Sequence, residues 1–334
     1  MDIDFVIPWV DGNDPLWQAE KNRCQGEKKS DLTNCESRYR DWGLMKYWFR
    51  AIEKYTPWFR TVHFVTWGHF PEFLNLDNPR LHIVRHKDYI PEEYLPTFSS
   101  HVLELNLHRI DGLADHFVYF NDDTFIIREM RKTDFFQNGL PCTVGSEAAF
   151  DFYGEIGAWQ HAAVNDLGII NAHFKKSEQV HKYRNKYINS KYHWRSNIRT
   201  FTSEKLYQNC FVGFPVLHAP AAYMKDTFFK VWDAEPEILK KTCMHPFRKN
   251  SDVNQWVMLW WQIAEGCFTP WKVDNRTYWA HPRDIESIEK DIMNQNRDMI
   301  CINDPDQITD FEEISKRIID SFEAILPDKS SFEK

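Results

Sequence analysis

No run of apolar residues in the 334-residue chain approaches the roughly 18 that a membrane-spanning helix needs, so no membrane span is expected. The first residues enter an apolar, strand-like segment without a basic stretch and leader-like apolar segment before it. A cytoplasmic location is the expectation, and peripheral attachment to a membrane stays open. Long Lys/Arg runs are also missing, and the formal net charge is −8, so nucleic acid is not an expected partner. An acidic protein can still bind an anionic ligand where local Arg residues and a metal reverse the field. The 7 cysteines are odd in number and contain no Cys-x-x-Cys, which indicates neither a disulfide framework nor a zinc site. Internal repeats and low-complexity segments are absent.

Hydrophobic residues make up 43% and charged residues 27%, the balance of an ordinary globular protein. Aromatics reach 16%. Aromatic faces suit sugar stacking, but for any single ring a place in the core is the commoner fate. The length allows one large domain over 1–334, or one with an insertion. Residues 1–140 alternate strand patterns (3–9, 61–66, 81–85, 116–120) with helix patterns (41–55, 100–113). Such alternation predicts an α/β fold, a mostly parallel sheet with flanking helices. Residues 1–140 would then be one α/β half and 206–334 the half that completes the domain. Residues 141–205 lack clean periodicity and read as an insertion or an acceptor-binding region. Within them, 173–199 is rich in Lys, Arg, Tyr, His and Asn; a solvated helix is the favoured reading, an acceptor surface the alternative. The polar stretch 17–36 reads as a loop. Residues 250–264 and 308–325 carry helical spacing.

Two segments carry the candidate chemistry. Phe117-Val118-Tyr119-Phe120 is an apolar strand that runs into Asn121-Asp122-Asp123. Adjacent carboxylates at the carboxyl edge of an α/β sheet lie where ligands bind. Hard cations such as Mg²⁺ or Mn²⁺ take oxygen ligands and often keep substrate phosphates in their shell. Asp122 and Asp123 therefore point to a metal–diphosphate site of the kind used with nucleotide sugars; a plain strand-to-turn junction is the alternative. The second segment is the first strand, which ends in Trp9-Val10-Asp11-Gly12, where glycine lets backbone approach a ligand. Asp304, in Asn303-Asp304, is a candidate third carboxylate. Arg248 precedes a helix pattern and is the candidate for planar contacts to phosphate, with backbone N–H groups of that helix beside it.

These segments together resemble the Stealth family of sugar-phosphate transferases. Residues 3–15, IDFVIPWVDGNDP, are similar to its first conserved region. Residues 37–136 are similar to its second, from Ser37-Arg38-Tyr39-Arg40-Asp41 through Tyr47, Arg50 and FVYFNDD to Asp134-Phe135-Phe136. Weaker third and fourth regions fall near 205–230 and 298–332. The resemblance implies a nucleotide-sugar-transferase-like, Rossmann-like catalytic core, with 1–140 as its nucleotide-sugar-binding half and 206–334 as the half that completes the catalytic domain. The resemblance implies site roles for Trp9, Asp11, Gly12, Arg38, Asp41, Arg50, Asn121, Asp252 and Asn303 as substrate-binding residues. It implies Asp122, Asp123 and Asp304 as metal ligands, with Asp123, Arg248 and His218 in catalysis. His218 is chosen because Val216-Leu217-His218-Ala219-Pro220 matches the family's His-x-Pro. Trp42-Gly43-Leu44-Met45-Lys46 departs from the polar or acidic residues and Arg usual there.

The implied activity is a phosphotransferase that moves a sugar-1-phosphate from a UDP-sugar, such as a UDP-N-acetylhexosamine, to a hydroxyl of an acceptor sugar or growing polysaccharide. UMP leaves, and the cofactor is Mg²⁺ or Mn²⁺. Capsule or other cell-surface polysaccharide synthesis is the implied setting. Two rivals use the same residues differently. A metal-dependent glycosyltransferase would release UDP, and a carbohydrate-binding protein would turn over nothing.

Overall fold

The structure, a computed structural model, describes residues 1–26, 39–150, 152, 154, 156–305, 308 and 310–334. Its strands are β1 (Asp4–Trp9), β2 (Val62–Thr66), β3 (Leu81–Arg85), β4 (His116–Tyr119), β5 (Thr124–Ile126), β6 (Phe136–Gln137), β7 (Leu140–Thr143), β8 (Ala221–Met224), β9 (Thr269–Pro270), β10 (Asn275–Trp279) and β11 (Met299–Asn303). The main sheet has the order β3-β2-β1-β4-β8. Its first four strands are parallel, and β8 runs antiparallel to β4 at the edge. Two three-stranded sheets, β10-β11-β5 and β6-β7-β9, complete the set among the described residues. The fold is thus mixed α/β.

The central strands β1 and β2 are near-continuously buried, as strands covered on both faces must be. Alternate side chains feed two cores. Phe5, Ile7, Phe64, Val118 and Phe120 enter one, with the helices Met45–Tyr55, Ile285–Asn294 and Phe311–Ile325. Val6, Val65, Phe117, Tyr119 and Tyr223 enter the other, with Ser100–Leu105, Ala158–His173, Lys225–Ala234 and Trp256–Ala264. Aromatic content is spent largely here: Phe5 alone meets Trp58, Phe59, Phe120 and Phe135 at centroid distances of 4.9–6.3 Å.

The order 3-2-1-4 contains a topological switch point. From β1 the chain moves outward through β2 and β3, then returns to β4 on the other side of β1. Pro8 widens that point. Val6 accepts a hydrogen bond from the Phe120 N–H at 2.9 Å, and Pro8, two residues on and facing the same side, has no N–H to give. The β1–β4 register ends at Val6↔Tyr119, and the strands part where their carboxyl ends begin.

The expected loop over 17–36 is corrected at its start. Pro15–Gln25 is a helix, and residues 27–38 lie outside the described residues. Asp14-Pro15 is a cap and first helical residue: the Asp14 side chain accepts from the Leu16 and Trp17 N–H groups. Trp17 is its one buried residue, so no apolar periodicity marked it. The helix expected over 100–113 is shorter, Ser100–Leu105, followed by a 3₁₀ turn at Leu107–Arg109. Residues 158–206 form helices that contribute Ala163, Ile170, Val180 and Tyr187 to the second core. No helix among the described residues is long and apolar enough to cross a membrane.

Candidate active site

At the switch point the turn after β1 faces the turn after β4. Gly12 is required where it stands: a Cβ there would lie 2.1 Å from the Tyr39 carbonyl oxygen. Backbone of residue 39 therefore sits directly on the β1 turn. The Asp11 N–H donates to His69 Nε2 at 2.9 Å, and His69 Nδ1 lies 3.2 Å from Asp14 Oδ2. An imidazole that accepts at Nε2 carries its proton on Nδ1, toward the Asp14 carboxylate. His69, just past the carboxyl end of β2, thus joins the neighbouring strand end to the β1 turn.

The β4 turn is closed by Thr124, whose N–H and hydroxyl both donate to the Asn121 carbonyl, at 3.1 and 2.7 Å. The chain then enters β5, which pairs with β11. The Ile302 N–H donates to the Asp123 carbonyl at 2.9 Å, so β11 carries Cys301, Asn303 and Asp304 to the same turn. Arg40 Nη1 donates to Asp304 Oδ1 at 2.9 Å and links this third strand end to the segment that covers Gly12. The Asp41 side chain accepts the Gly43 N–H at 2.7 Å.

The electrostatics of the turn are unbalanced. Asp122 is open to solvent yet crowded by protein. That crowding, then the charge of Asp123, then Asp41, raises its carboxyl; a backbone N–H and Arg248 pull the other way. Asp123 Oδ1 is buried without a hydrogen bond, and the His218 Nε2 lies 3.4 Å from it. Cys301 completes a cluster with Asp123 and His218 whose ligand atoms lie within 4.8 Å of one another. Burial first, and Asp123 beside it, push the Cys301 thiol up, so it stays protonated. The Asp123 carboxylate, with its unbonded buried oxygen, suits a hard divalent cation better than a protonated thiol does; Asp122 and Asp304, the other two expected ligands, lie outside this three-residue cluster.

His218 and Arg248 arrive from opposite directions. β8 runs antiparallel to β4 with Tyr119↔Ala221, and continuing that register puts residue 218 beside the Asp122-Asp123 turn. Arg248 donates from Nη2 to Ser100 Oγ at 2.6 Å. Its loop is held by Asp252, which is buried; that carboxylate accepts the Lys249 N–H at 2.7 Å and faces His245 Nδ1 at 2.7 Å and His101 Nδ1 at 3.7 Å.

The structure thus brings Asp11, Gly12, Asp41, Asn121, Asp122, Asp123, His218, Arg248, Asn303 and Asp304 around one set of strand ends. Asp252 is turned inward to hold the Arg248 loop. Trp9 packs its ring against Phe64 and His69. Arg50 is committed to the C-terminal tail, with Glu333 at 2.9 Å and the Leu326 carbonyl at 2.8 Å. Arg38 lies outside the described residues. His69, Arg40, Ser100 and Cys301 join the site without a role implied by the sequence, although Arg40 stands in the Ser37–Asp41 motif. For His69 the available signal was its place just beyond a predicted strand; for Cys301 it was its alternation with Asn303 on one.

Fold and site together define an α/β protein with an acidic, strand-end site at a topological switch point. The chain matches the family models for Stealth protein conserved region 1 over residues 1–29 and conserved region 2 over residues 38–143. It is 38% identical over 336 residues to the capsular polysaccharide phosphotransferase WcwK of Streptococcus pneumoniae, which covers 99% of this chain and 98% of that protein. It is 35% identical to the receptor polysaccharide phosphotransferase WefC of Streptococcus oralis, over 99% of each chain. It is 33% identical to the exopolysaccharide phosphotransferase cps2G of Lactiplantibacillus plantarum, over 100% of this chain and 96% of that one. The chain belongs to the Stealth family.

Proposed function

We propose that this protein is a polysaccharide phosphotransferase that moves a hexose-1-phosphate from a UDP-sugar to a hydroxyl of an acceptor sugar, in capsule or other cell-surface polysaccharide synthesis. The observation that carries the reading is the Asp122-Asp123 turn at the switch point, with an orphaned buried oxygen and mutual repulsion that a cation would relieve. The relatives, each named a phosphotransferase of a polysaccharide, support the reaction class. The main sheet supports a nucleotide-sugar-transferase-like core, because nucleotides bind at switch points of such sheets.

Mg²⁺ or Mn²⁺ would be held by Asp122 and Asp123, with Asp304 nearby, and would neutralise diphosphate charge as the bridging oxygen leaves. Arg248 offers a planar fork to the phosphoryl oxygens, positioned by Ser100 and by the Asp252-anchored loop. Asp123 beside His218 Nε2 favours the proton on that nitrogen, which leaves Nδ1 to take the proton of the acceptor hydroxyl. The acceptor oxygen forms a bond to the β-phosphorus. The bond from that phosphorus to the bridging oxygen breaks, and UMP departs with that oxygen.

The test is to identify the nucleotide released from a UDP-sugar and acceptor, by ³¹P NMR or anion-exchange chromatography. UMP is the expected product. UDP would make the protein a glycosyltransferase that attacks the anomeric carbon, and no turnover with sugar binding that ignores metal would make it a binding protein.

A further inference from the structure

The helix Trp194–Leu206 is built inside out. Its buried residues are Thr200 and Ser203, both polar. Trp194, Ile198 and Phe201 recur at i, i+4 and i+7, one face of a helix, and are 60%, 55% and 48% exposed. Leu206 and Tyr207 at its end are exposed as well. A surface helix of a globular protein does the reverse, packing its apolar stripe inward. Contiguous exposed apolar stripes mark sites that something else covers.

Charge says what covers it. Residues 173–207 contain nine Lys or Arg against two Glu, a surplus of +7 within a chain whose formal net charge is −8. Some of these cations are used internally: Lys176 pairs with buried Glu147, Arg184 with Glu204, and Lys186 caps the Gly266 and Phe268 carbonyls. Lys182, Lys191, Arg195 and Lys205 are exposed, each with its cation over an aromatic ring: Tyr183, Trp271, Trp194 and Phe201 respectively. Exposed apolar side chains with a tryptophan among them, ringed by snorkelling cations, are the makeup of a helix that lies in the plane of an anionic bilayer.

We infer that Trp194–Leu206 docks the protein on an anionic lipid surface, through Trp194, Ile198 and Phe201 in the acyl boundary and Lys191, Arg195 and Lys205 at the headgroups. Glu147 donates its N–H to Thr200 Oγ1, gives its carbonyl to Arg199, and accepts the Val212 N–H. The inference stands apart from the reaction assigned above, since it rests on a different surface.

The experiment is vesicle flotation of the full chain with phosphatidylglycerol–phosphatidylcholine vesicles and with phosphatidylcholine alone, over a salt series. Binding to the anionic vesicles should exceed binding to neutral ones by about tenfold and weaken with salt. Trp194→Ala with Phe201→Ala should reduce it by about tenfold or more at an unchanged Tm, because both rings are exposed. Lys191→Glu, Arg195→Glu and Lys205→Glu together should abolish the preference for anionic lipid. Absence of wild-type binding at low salt, or equal binding by both multiple variants, overturns the inference. So does a dimer in light scattering that the Trp194/Phe201 variant dissociates while vesicles bind neither form.

Discussion

His218 Nε2 lies 3.4 Å from Asp123 Oδ1, although 94 residues separate them along the chain. The contact follows from topology. β8 returns antiparallel along β4, so the residues that precede it run alongside the turn that follows β4. A carboxylate placed beside one imidazole nitrogen orients the ring and stabilises the imidazolium formed when the other takes a proton.

His218→Ala should slow transfer by roughly 10²–10⁴-fold, the usual contribution of a positioned base. Donor affinity should hardly change, because the Asp122-Asp123 turn and Arg248 are intact. Calorimetric titration of the UDP-sugar, together with Tm and turnover, separates the roles. Weakened donor binding would make His218 a phosphate ligand, and a large fall in Tm a structural residue.

Asp122→Asn and Asp123→Asn keep the shape of the turn and remove one charge each. Turnover should fall by roughly 10²–10³-fold or more, as when a preorganised charge-stabilising group is lost. Excess chelator should abolish activity in the wild type, with recovery on Mg²⁺ or Mn²⁺. Without metal, Asp122→Asn should raise Tm, because crowding by protein first, and then the charge of Asp123, disfavours the wild-type carboxylate. Full activity of both variants in chelator would remove the metal from the reading.

Arg248→Lys keeps the charge and loses the two-pronged geometry. It should cost nearly as much as Arg248→Ala, roughly 2–4 kcal/mol in transition-state stabilisation, the size of one preorganised donor. Ser100→Ala removes only the acceptor that aligns the guanidinium at Nη2 and should cost less. A Lys variant with wild-type kcat/KM would show that the guanidinium fork is not used.

Much of this site was readable because its parts sit at strand ends. The apolar run before Asn121 placed Asp122 and Asp123 at the end of a strand, and that strand is β4. The strands at 61–66 and 81–85 were visible as short runs rich in apolar and β-branched residues; β2 is buried throughout, whereas β3, at the sheet edge, is only partly buried. What the sequence concealed was partnership across distance. The Arg50 guanidinium reads as well as the Arg248 one for binding phosphate, yet the C-terminal tail claims it through Glu333. The pairing of Arg40 with Asp304, across 264 positions, leaves no local pattern. The helix at Pro15–Gln25 was hidden because capping by Asp14, not an apolar face, defines its start.

Two buried histidines should each make stability fall with acid, against the opposite pull of Asp122 and Asp166, whose carboxyls are raised by the protein packed around them. Burial first, then His69, pushes His86 down to about 3; burial, then Arg109 and Lys225, pushes His108 down to about 3. In the unfolded chain each titrates near 6.5. As pH falls below about 6.5 the unfolded state takes protons that the native state refuses, so stability drops, by up to about 1.4 kcal/mol per pH unit for each group. Asp4 acts lower. Burial alone would raise it, but Arg60, His63 and the Ala114 N–H hold it at about 2, so its contribution is lost between about pH 4 and 2. Urea unfolding of wild type and of a His108 variant from pH 7.5 to 4.5 isolates that histidine's share as the difference of their slopes. His108→Phe, whose ring suits neighbours Phe228, Phe229 and Trp232, should lose that share. An unchanged slope would show that His108 is not the titrating group.

Gly12→Ala tests whether the segment at residue 39 must lie on the β1 turn. The added Cβ would meet the Tyr39 carbonyl oxygen at 2.1 Å and its Cβ at 2.8 Å, and a backbone atom cannot swing aside as a side-chain tip can. Either the Asp11-Gly12 turn or the 39–41 segment must move. Movement of that segment would loosen Arg40 from Asp304 and shift Asp41, two of the groups gathered at the strand ends. Overpacking of this kind costs typically 1–3 kcal/mol, roughly, and turnover should fall with it. Gly168→Ala is the control. It lies in the helix Ala158–His173 with nothing within 4 Å of its added Cβ. Helix propensity alone should then raise stability by roughly 0.5–1 kcal/mol with turnover unchanged. If Gly12→Ala matches that control in both Tm and turnover, the close approach of residue 39 to the β1 turn is not part of the working site.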